Sequence, residues 1–292
     1  MKKYFVCSDI HGFYKEWMKS LKKAGYDKDN EDHILIVLGD IFDRGYEPYK
    51  VYKFLTSLPD DRVVLVKGNH EYLIEELVKR GEELDHDIYN GTYETLISLY
   101  KDPKDVQMKW VEKNENNYDD EYEFWADAFD VYRKVHKKLF NNKKLNELLE
   151  WLKSPKWLHY YELGQYIFVH SFIPVTKDIS YFSEWRTKST PSMWEAATWG
   201  CPYIYYQGGL FDEEEAKGKI LVCGHWHTSD FYNELLYKDD PSKELNIYES
   251  NPIFQSEKYP GLIGIDACTA LTKVVNVLVI DESQLSTYRK PL

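Results

Sequence analysis

Side chains able to bind cations gather in five short segments of this chain: Ser8-Asp-Ile-His-Gly12, Gly39-Asp-Ile-Phe-Asp-Arg-Gly45, Gly68-Asn-His-Glu71, Val169-His-Ser171 and Gly224-His-Trp-His227. Carboxylate, imidazole and amide oxygen supply the donors, with thiolates left out, a set that suits hard divalent cations or borderline transition ions. A carboxylate shared by two such ions, about 3.5–4 Å apart, lets a water lose a proton near neutral pH and attack phosphorus in line. A guanidinium such as that of Arg44 can pair two phosphoryl oxygens in a planar fork and stabilise the charge that grows during displacement. The departing alkoxide needs a proton, which an imidazole oriented by a carboxylate can supply, and His70 with Asp43 suits that task. Two-metal phosphoester hydrolysis is the chemistry this set of residues implies.

Any one of these segments read alone is a plain turn, because Asp and Gly are common where strands end. Their order argues otherwise. Asp9 and His11 follow the apolar run Tyr4–Ser8, Asp40 follows Ile34–Leu38, and Asn69 follows Val63–Val66. Apolar, β-branched-rich runs that end in ligands are how α/β folds place sites, at the carboxyl ends of strands. Between them the spacing predicts helices near Phe13–Ala24, Pro48–Leu58 and Glu71–Arg80, giving βαβαβα. From Glu82 to Lys156 the pattern turns to helix-period stretches such as Asp120–Phe140 and Lys143–Lys153. We read a helical insertion at about 82–156 that covers the site, within a single domain of residues 1–292. Strands are expected again at Tyr160–Leu163, Tyr166–Val169, Lys219–Cys223, Leu262–Asp266 and Val274–Ile280.

The segments resemble the calcineurin-like metallophosphoesterases, and within them the phosphoprotein phosphatase branch with its bacterial and phage serine/threonine phosphatases, marked by GDxHG, GDxxDRG and GNHE. Ser8 stands where that branch usually has Gly, and the ligand positions Asp9 and His11 are intact. The resemblance runs from about Tyr4 to Asp281 and is weak between Gly81 and Leu158. It implies an α/β (α+β) fold, a four-layer αββα sandwich with a helical cap. Carried over position by position, it implies that Asp9, His11 and Asp40 hold one metal, and that Asp40, Asn69, His170 and His225 hold the other, with Asp40 bridging. His227 matches a histidine that completes the first metal's shell across the wider superfamily. His70 matches the general acid, Asp43 its orienting partner and Arg44 a phosphate-binding arginine, and Asn69 is also a candidate for substrate contact. Relatives in that branch carry a second phosphate-binding arginine between the last two histidine segments, often just before a Trp. Thr198 occupies that spot here, which leaves Arg186 as the arginine available, with a surface arginine as its bland reading.

The implied activity is that of a binuclear metal-dependent phosphomonoesterase similar to serine/threonine protein phosphatases. Its cofactors would be two divalent ions, manganese first and iron or zinc next. The alternative is a dinucleoside polyphosphate (diadenosine tetraphosphate) hydrolase. A scaffold that kept the fold and lost the chemistry is a third reading, opposed by the intact ligand set.

At 292 residues and 43% hydrophobic, the chain can bury one sizeable core or a core plus a cap. A formal net charge of −12 repels phosphate backbones and argues against a nucleic-acid partner. The 25 Tyr and 9 Trp are read first as packing rather than as a base-stacking platform. Cys7, Cys201, Cys223 and Cys268 form no CxxC pair and are expected buried and reduced. His33, His86, His136 and His159 lack a second ligand at useful spacing and are expected at the surface or satisfied in the core. No run approaches the roughly 20 apolar residues of a membrane span, and the opening Met-Lys-Lys leads straight into a short apolar run. A cytoplasmic enzyme acting on a phosphorylated protein or nucleotide, with no membrane partner, is the expectation.

Overall fold

A computed structural model of the chain describes residues 1–100, 114, 123, 127, 137–211 and 218–286. Most of the predicted helix Asp120–Phe140, together with His136, lies outside the described residues. Strands β1 (Lys3–Cys7), β2 (His33–Leu38) and β3 (Val63–Val66) alternate with helices α1 (Tyr14–Ala24), α2 (Pro48–Ser57) and α3 (Asn69–Arg80). They are followed by α4 (Asp85–Tyr89), α5 (Thr92–Leu99), the helix Lys143–Leu152, and strands β4 (Trp157–Leu158), β5 (Tyr160–Leu163) and β6 (Tyr166–Val169). Strands β7 (Ile220–His227), β8 (Leu262–Asp266) and β9 (Leu278–Asp281) complete two sheets, ordered β4-β3-β2-β1-β9 and β5-β6-β7-β8.

The strand residues sort by parity into layers, because successive side chains point to opposite faces of a sheet. Phe5, Cys7, Leu35 and Val37 pack outward against Trp17, Leu21, Val51 and Leu148 of the helices. Tyr4, Val6, Ile34 and Ile36 face inward and meet Phe168, Val222 and Ile263 of the second sheet. Ile167, Val169, Leu221 and Cys223 point to the far side, against Phe172, Trp185, Trp194 and Phe231. Helices, sheet, sheet and helices therefore stack as an αββα sandwich. Burial on both faces explains why these runs read as continuously apolar instead of alternating.

Parallel pairing brings the ligand ends together. Strand β1 runs parallel to β2 with Cys7 opposite Val37, and β2 runs parallel to β3 with Leu38 opposite Val66. In the second sheet β6, β7 and β8 are parallel, with an irregularity between Cys223 and His227. Two expectations shift at the boundaries: β7 continues through its histidines to His227, and the last strand begins at Leu278, not Val274. Lys273, in the left-handed region with φ 58°, turns the chain before it can enter the sheet. The two-residue strand β4, too short to leave a period, was not anticipated. All four cysteines are buried and unpaired by disulfide. Among the described residues no helix is long and apolar enough to cross a membrane.

Candidate metal centre

Two groups of ligand atoms converge where the strands end: His11, Asp40 and His70 in one, Asp40, His170 and His225 in the other, each with its atoms within 4.8 Å of one another. Asp40 belongs to both. Its Oδ1 lies 3.5 Å from His170 Nε2, and its Oδ2 lies 3.9 Å from His11 Nε2 and 3.7 Å from His70 Nε2. Asp9 joins the halves, with Oδ1 3.9 Å from His11 Nε2 and Oδ2 accepting the backbone N–H of His225 at 3.0 Å. Asn69 Oδ1 stands 2.8 Å from His170 Nε2.

The hydrogen bonds of the imidazoles assign their lone pairs. A backbone carbonyl only accepts, so His170 Nδ1 carries a hydrogen and donates it to Leu38 O at 2.6 Å; His11 Nδ1 donates likewise to Phe42 O at 2.9 Å. Burial holds both rings, and that of His225, below the usual histidine range, so they are neutral at pH 7. His170 Nε2 is then a lone pair, yet it faces two oxygens, Asn69 Oδ1 at 2.8 Å and Asp40 Oδ1 at 3.5 Å, with His225 Nδ1 hydrogen-bonded to it at 3.3 Å. Acceptors packed against acceptors repel one another unless something positive lies between them. Burial, then Asp9 and Glu71, drive the Asp40 carboxyl well above the usual carboxylate range. The residues present thus fit divalent cations. Neutral imidazoles tied by their other nitrogen are ready ligands, and the O and N donors match the types such ions take.

Beside the first group, His70 Nδ1 bonds Asp43 Oδ2 at 2.6 Å. Asp43 is held in turn by α5: Thr95 Oγ1 donates to Oδ1 at 2.6 Å and accepts the Asp43 N–H at 2.9 Å, and Thr92 Oγ1 donates to Oδ2 at 2.8 Å. Arg44 Nη1 donates to His11 Nε2 at 3.0 Å. Helix α5 is therefore linked to the first group through Asp43 and His70.

Residues that no spacing argument singled out brace this arrangement. Glu71, fully buried, accepts the N–H groups of Asp40 (2.9 Å), Gly68 (2.8 Å) and Ile41 (3.0 Å), tying the β2 loop to the start of α3. It belongs to the Gly68–Glu71 segment, but helix-start acids are so common that position alone assigns it no task. Thr92 and Thr95 left no signal, because their partner is about 50 residues away in sequence. Close approach explains two glycines: a Cβ on Gly68 would sit 2.3 Å from Asp40 Oδ1, and one on Gly224 2.2 Å from Asp9 Oδ2.

Two predicted site residues are placed elsewhere. His227 stands outside both groups, with Nδ1 3.4 Å from Asp230 and Nε2 3.9 Å from Asp266. Burial disfavours its charge, but Asp230, Cys268 and Asp266 more than offset this and push it up to about 11. Arg186 bonds Glu162 at 2.5 Å and lies over Trp185, and Glu162 also pairs with Lys219, just before β7 begins. That is the opposite end of the second sheet from His170 and His225, so Arg186 is not brought to the centre. Of the other histidines, His33 accepts the Asp27 N–H, His86 pairs with Asp87 and His159 stacks on Trp194, all away from the ligand groups.

An αββα sandwich with a paired cluster of buried carboxylates and neutral imidazoles at its parallel strand ends defines a class of metal-binding α/β proteins. The chain belongs to the calcineurin-like phosphoesterase family, whose model matches residues 2–229. Over 71 residues, 24% of this chain, it is 45% identical to the symmetrical bis(5'-nucleosyl)-tetraphosphatase of Buchnera aphidicola subsp. Acyrthosiphon pisum, and the match spans 24% of that protein. Over 74 residues, 23% of the chain, it is 38% identical to the asymmetrical bis(5'-nucleosyl)-tetraphosphatase of Bacillus velezensis, spanning 30% of it. These matches thus span roughly a quarter of the length of the curated relatives. A mutant of a cold-active protein tyrosine phosphatase superposes with a TM-score of 0.50 at 16% identity, covering 97% of this chain and 76% of that one, which shows a shared fold.

Proposed function

We propose that this chain hydrolyses phosphomonoesters, in the manner of serine/threonine phosphatases, with two divalent cations held by Asp9, His11, Asp40, Asn69, His170 and His225. The carrying observation is the convergence of proton-free donors on Asp40 with the His70–Asp43 pair alongside. When bound, the cations supply Lewis acidity toward the phosphoryl oxygens and lower the pKa of water. Asp40 spans the two ligand groups with its two oxygens. Arg44, beside His11, pairs phosphoryl oxygens of the substrate. His70 gives a proton from Nε2 to the leaving alkoxide, while Asp43 fixes its other nitrogen and Thr92 and Thr95 fix Asp43. Manganese is the first cation to test, then iron and zinc.

A second reading, hydrolysis of a dinucleoside polyphosphate, is supported by the activity in the names of the relatives. Initial rates on a phosphoserine peptide and on diadenosine tetraphosphate decide between them, with metal-stripped, manganese-reloaded protein and Asp40→Asn as the blank. Preference for the peptide supports the monoesterase, and preference for the dinucleotide the second reading. Turnover of neither, with both cations bound, overturns the proposal.

A further inference from the structure

Among the described residues few large aromatic side chains are exposed, and one of them stands on the candidate metal centre. Trp199 is 47% exposed, and its ring meets that of His225 edge-on at 5.7 Å between centroids. A Trp left half in water forfeits much of the stabilisation its burial would give.

The backbone that carries Trp199 is fixed to the same centre from two sides. The next carbonyl, Gly200 O, accepts from Ser171 Oγ, the residue after His170, and from Trp226 Nε1 at 3.0 Å, the residue after His225. Phe172 N–H bonds Ala197 O at 3.2 Å, and Trp199 N–H closes on Ala196 O at 3.1 Å. A Cβ on Gly200 would fall 2.8 Å from the Tyr205 ring, so the turn is packed as well as bonded. An indole registered in this way to both second-sheet histidines is pre-positioned rather than left over. Its neighbour Thr198, where the resemblance would have put a second arginine, is buried and bonds Glu195 O, so it offers the substrate no charge.

We infer that Trp199 is the floor of a subsite for a flat aromatic ring attached to the phosphoryl group, a nucleobase, so that ring stacking supplies on this side the grip that a guanidinium would otherwise give. The inference rests on the phosphoester reading of the centre and names a nucleoside phosphate as the class it accepts. Stacking on an aromatic side chain tolerates any base, so purine and pyrimidine nucleotides are both admitted.

The test compares calorimetric binding of adenosine 5'-monophosphate with that of ribose 5-phosphate, on manganese-loaded wild type, Trp199→Ala and Trp199→Phe. Far-ultraviolet circular dichroism and metal content confirm that each variant is folded and loaded. In the wild type the nucleotide should bind about ten-fold more tightly than the sugar phosphate, a gap of the size base stacking gives. The gap should vanish in Trp199→Ala and largely return in Trp199→Phe. Equal binding of the two probes by the wild type, or a gap that survives Trp199→Ala, overturns the subsite. Turnover of an alkyl phosphate by the wild type, followed separately, reports whether the phosphoester reading stands, so the two failures are distinguishable.

Discussion

The half of the centre built by the first sheet and the half built by the second reach it by different means. Asp9, His11, Asp40, Asp43 and Arg44 all sit in the left-handed backbone region, with φ between 47° and 67°, whereas His225 is the one predicted site residue of the second sheet that does, at 65°. Each such residue costs on the order of 1 kcal/mol or more. The first half keeps this strain because its loops are cross-tied: Asp9 N–H to Gly39 O, His11 N–H to Asp40 O, Gly12 N–H to Ile41 O, and three N–H groups to Glu71. The second half needs less bracing, since His170 directly follows a parallel strand and is held by Leu38 O from the opposite sheet. One half is a strained local scaffold, and the other is delivered by packing two sheets together. Asp40 is the joint between them.

That contrast can be broken at the joint with the largest effect. Asp40→Asn should remove binuclear occupancy and with it turnover, and elemental analysis that still finds two tightly bound ions would refute the bridging assignment. His70→Ala tests the first half without touching the joint: metal content should hold while kcat on an alkyl phosphate falls by about 10²–10⁴. An aryl phosphate, whose leaving group needs little protonation, should show a much smaller loss. Unchanged turnover on the alkyl substrate would take His70 out of the mechanism.

Glu71→Gln probes the bracing itself. It puts an amide donor among three backbone N–H groups, so metal affinity by calorimetric titration should weaken by about 10–100-fold, the scale seen when residues behind metal ligands are changed. Affinity equal to wild type would mean that the strained loops hold themselves. The smallest effect is expected at Arg186→Ala, which breaks a partly exposed ion pair at the far end of the second sheet. Kinetic constants should match wild type and stability should change by no more than about 1 kcal/mol; a raised KM would bring Arg186 back to the substrate.

The two halves also respond to pH together. His11, His170 and His225 are held by burial below their usual value of 6.5, so the unfolded chain takes up protons there that the native one refuses. Metal-free protein should lose stability as pH falls through about 6.5. Asp40 and Asp266, raised by burial and by neighbouring carboxylates, Asp266 to about 7, act oppositely: the stability their protonated forms give is lost as pH rises through their native values. Melting temperature against pH should therefore fall on both sides in the metal-free protein. Manganese should restore part of the alkaline side, since a cation replaces the proton on Asp40; a profile that manganese leaves unchanged would separate Asp40 from metal binding.

Much of the first half was legible in the sequence for the reason that it is strained and local. A turn that must carry Asp, His or Arg in the left-handed region beside close-approaching glycines leaves a compact signature around Asp9, His11, Asp40, Asp43 and Arg44, while Asn69 and His70 were marked by their place after Gly68 at the start of α3. The strands were legible because burial on both faces makes them uniformly apolar. Glu71 was visible but had no stated task, and Thr92 and Thr95 were invisible, because a hydroxyl's partner 49 or 52 residues away leaves no period to read. His227 and Arg186 stand apart from that signature: a motif position and a residue type suggested their roles, and the structure places them beside Asp230 and Asp266 and beside Glu162, outside the two ligand groups.

The sequence by itself determined the donor types, the strand ends that carry them and the layers that the strands form, since periodicity and local turn chemistry act over a few residues. Only the tertiary structure decided which lone pairs face one another across the two sheets, that α5 grips Asp43, and that Trp199 stands half exposed against His225. Those are contacts between segments distant in the chain, and their geometry is fixed by how the sheets pack rather than by any spacing along the sequence.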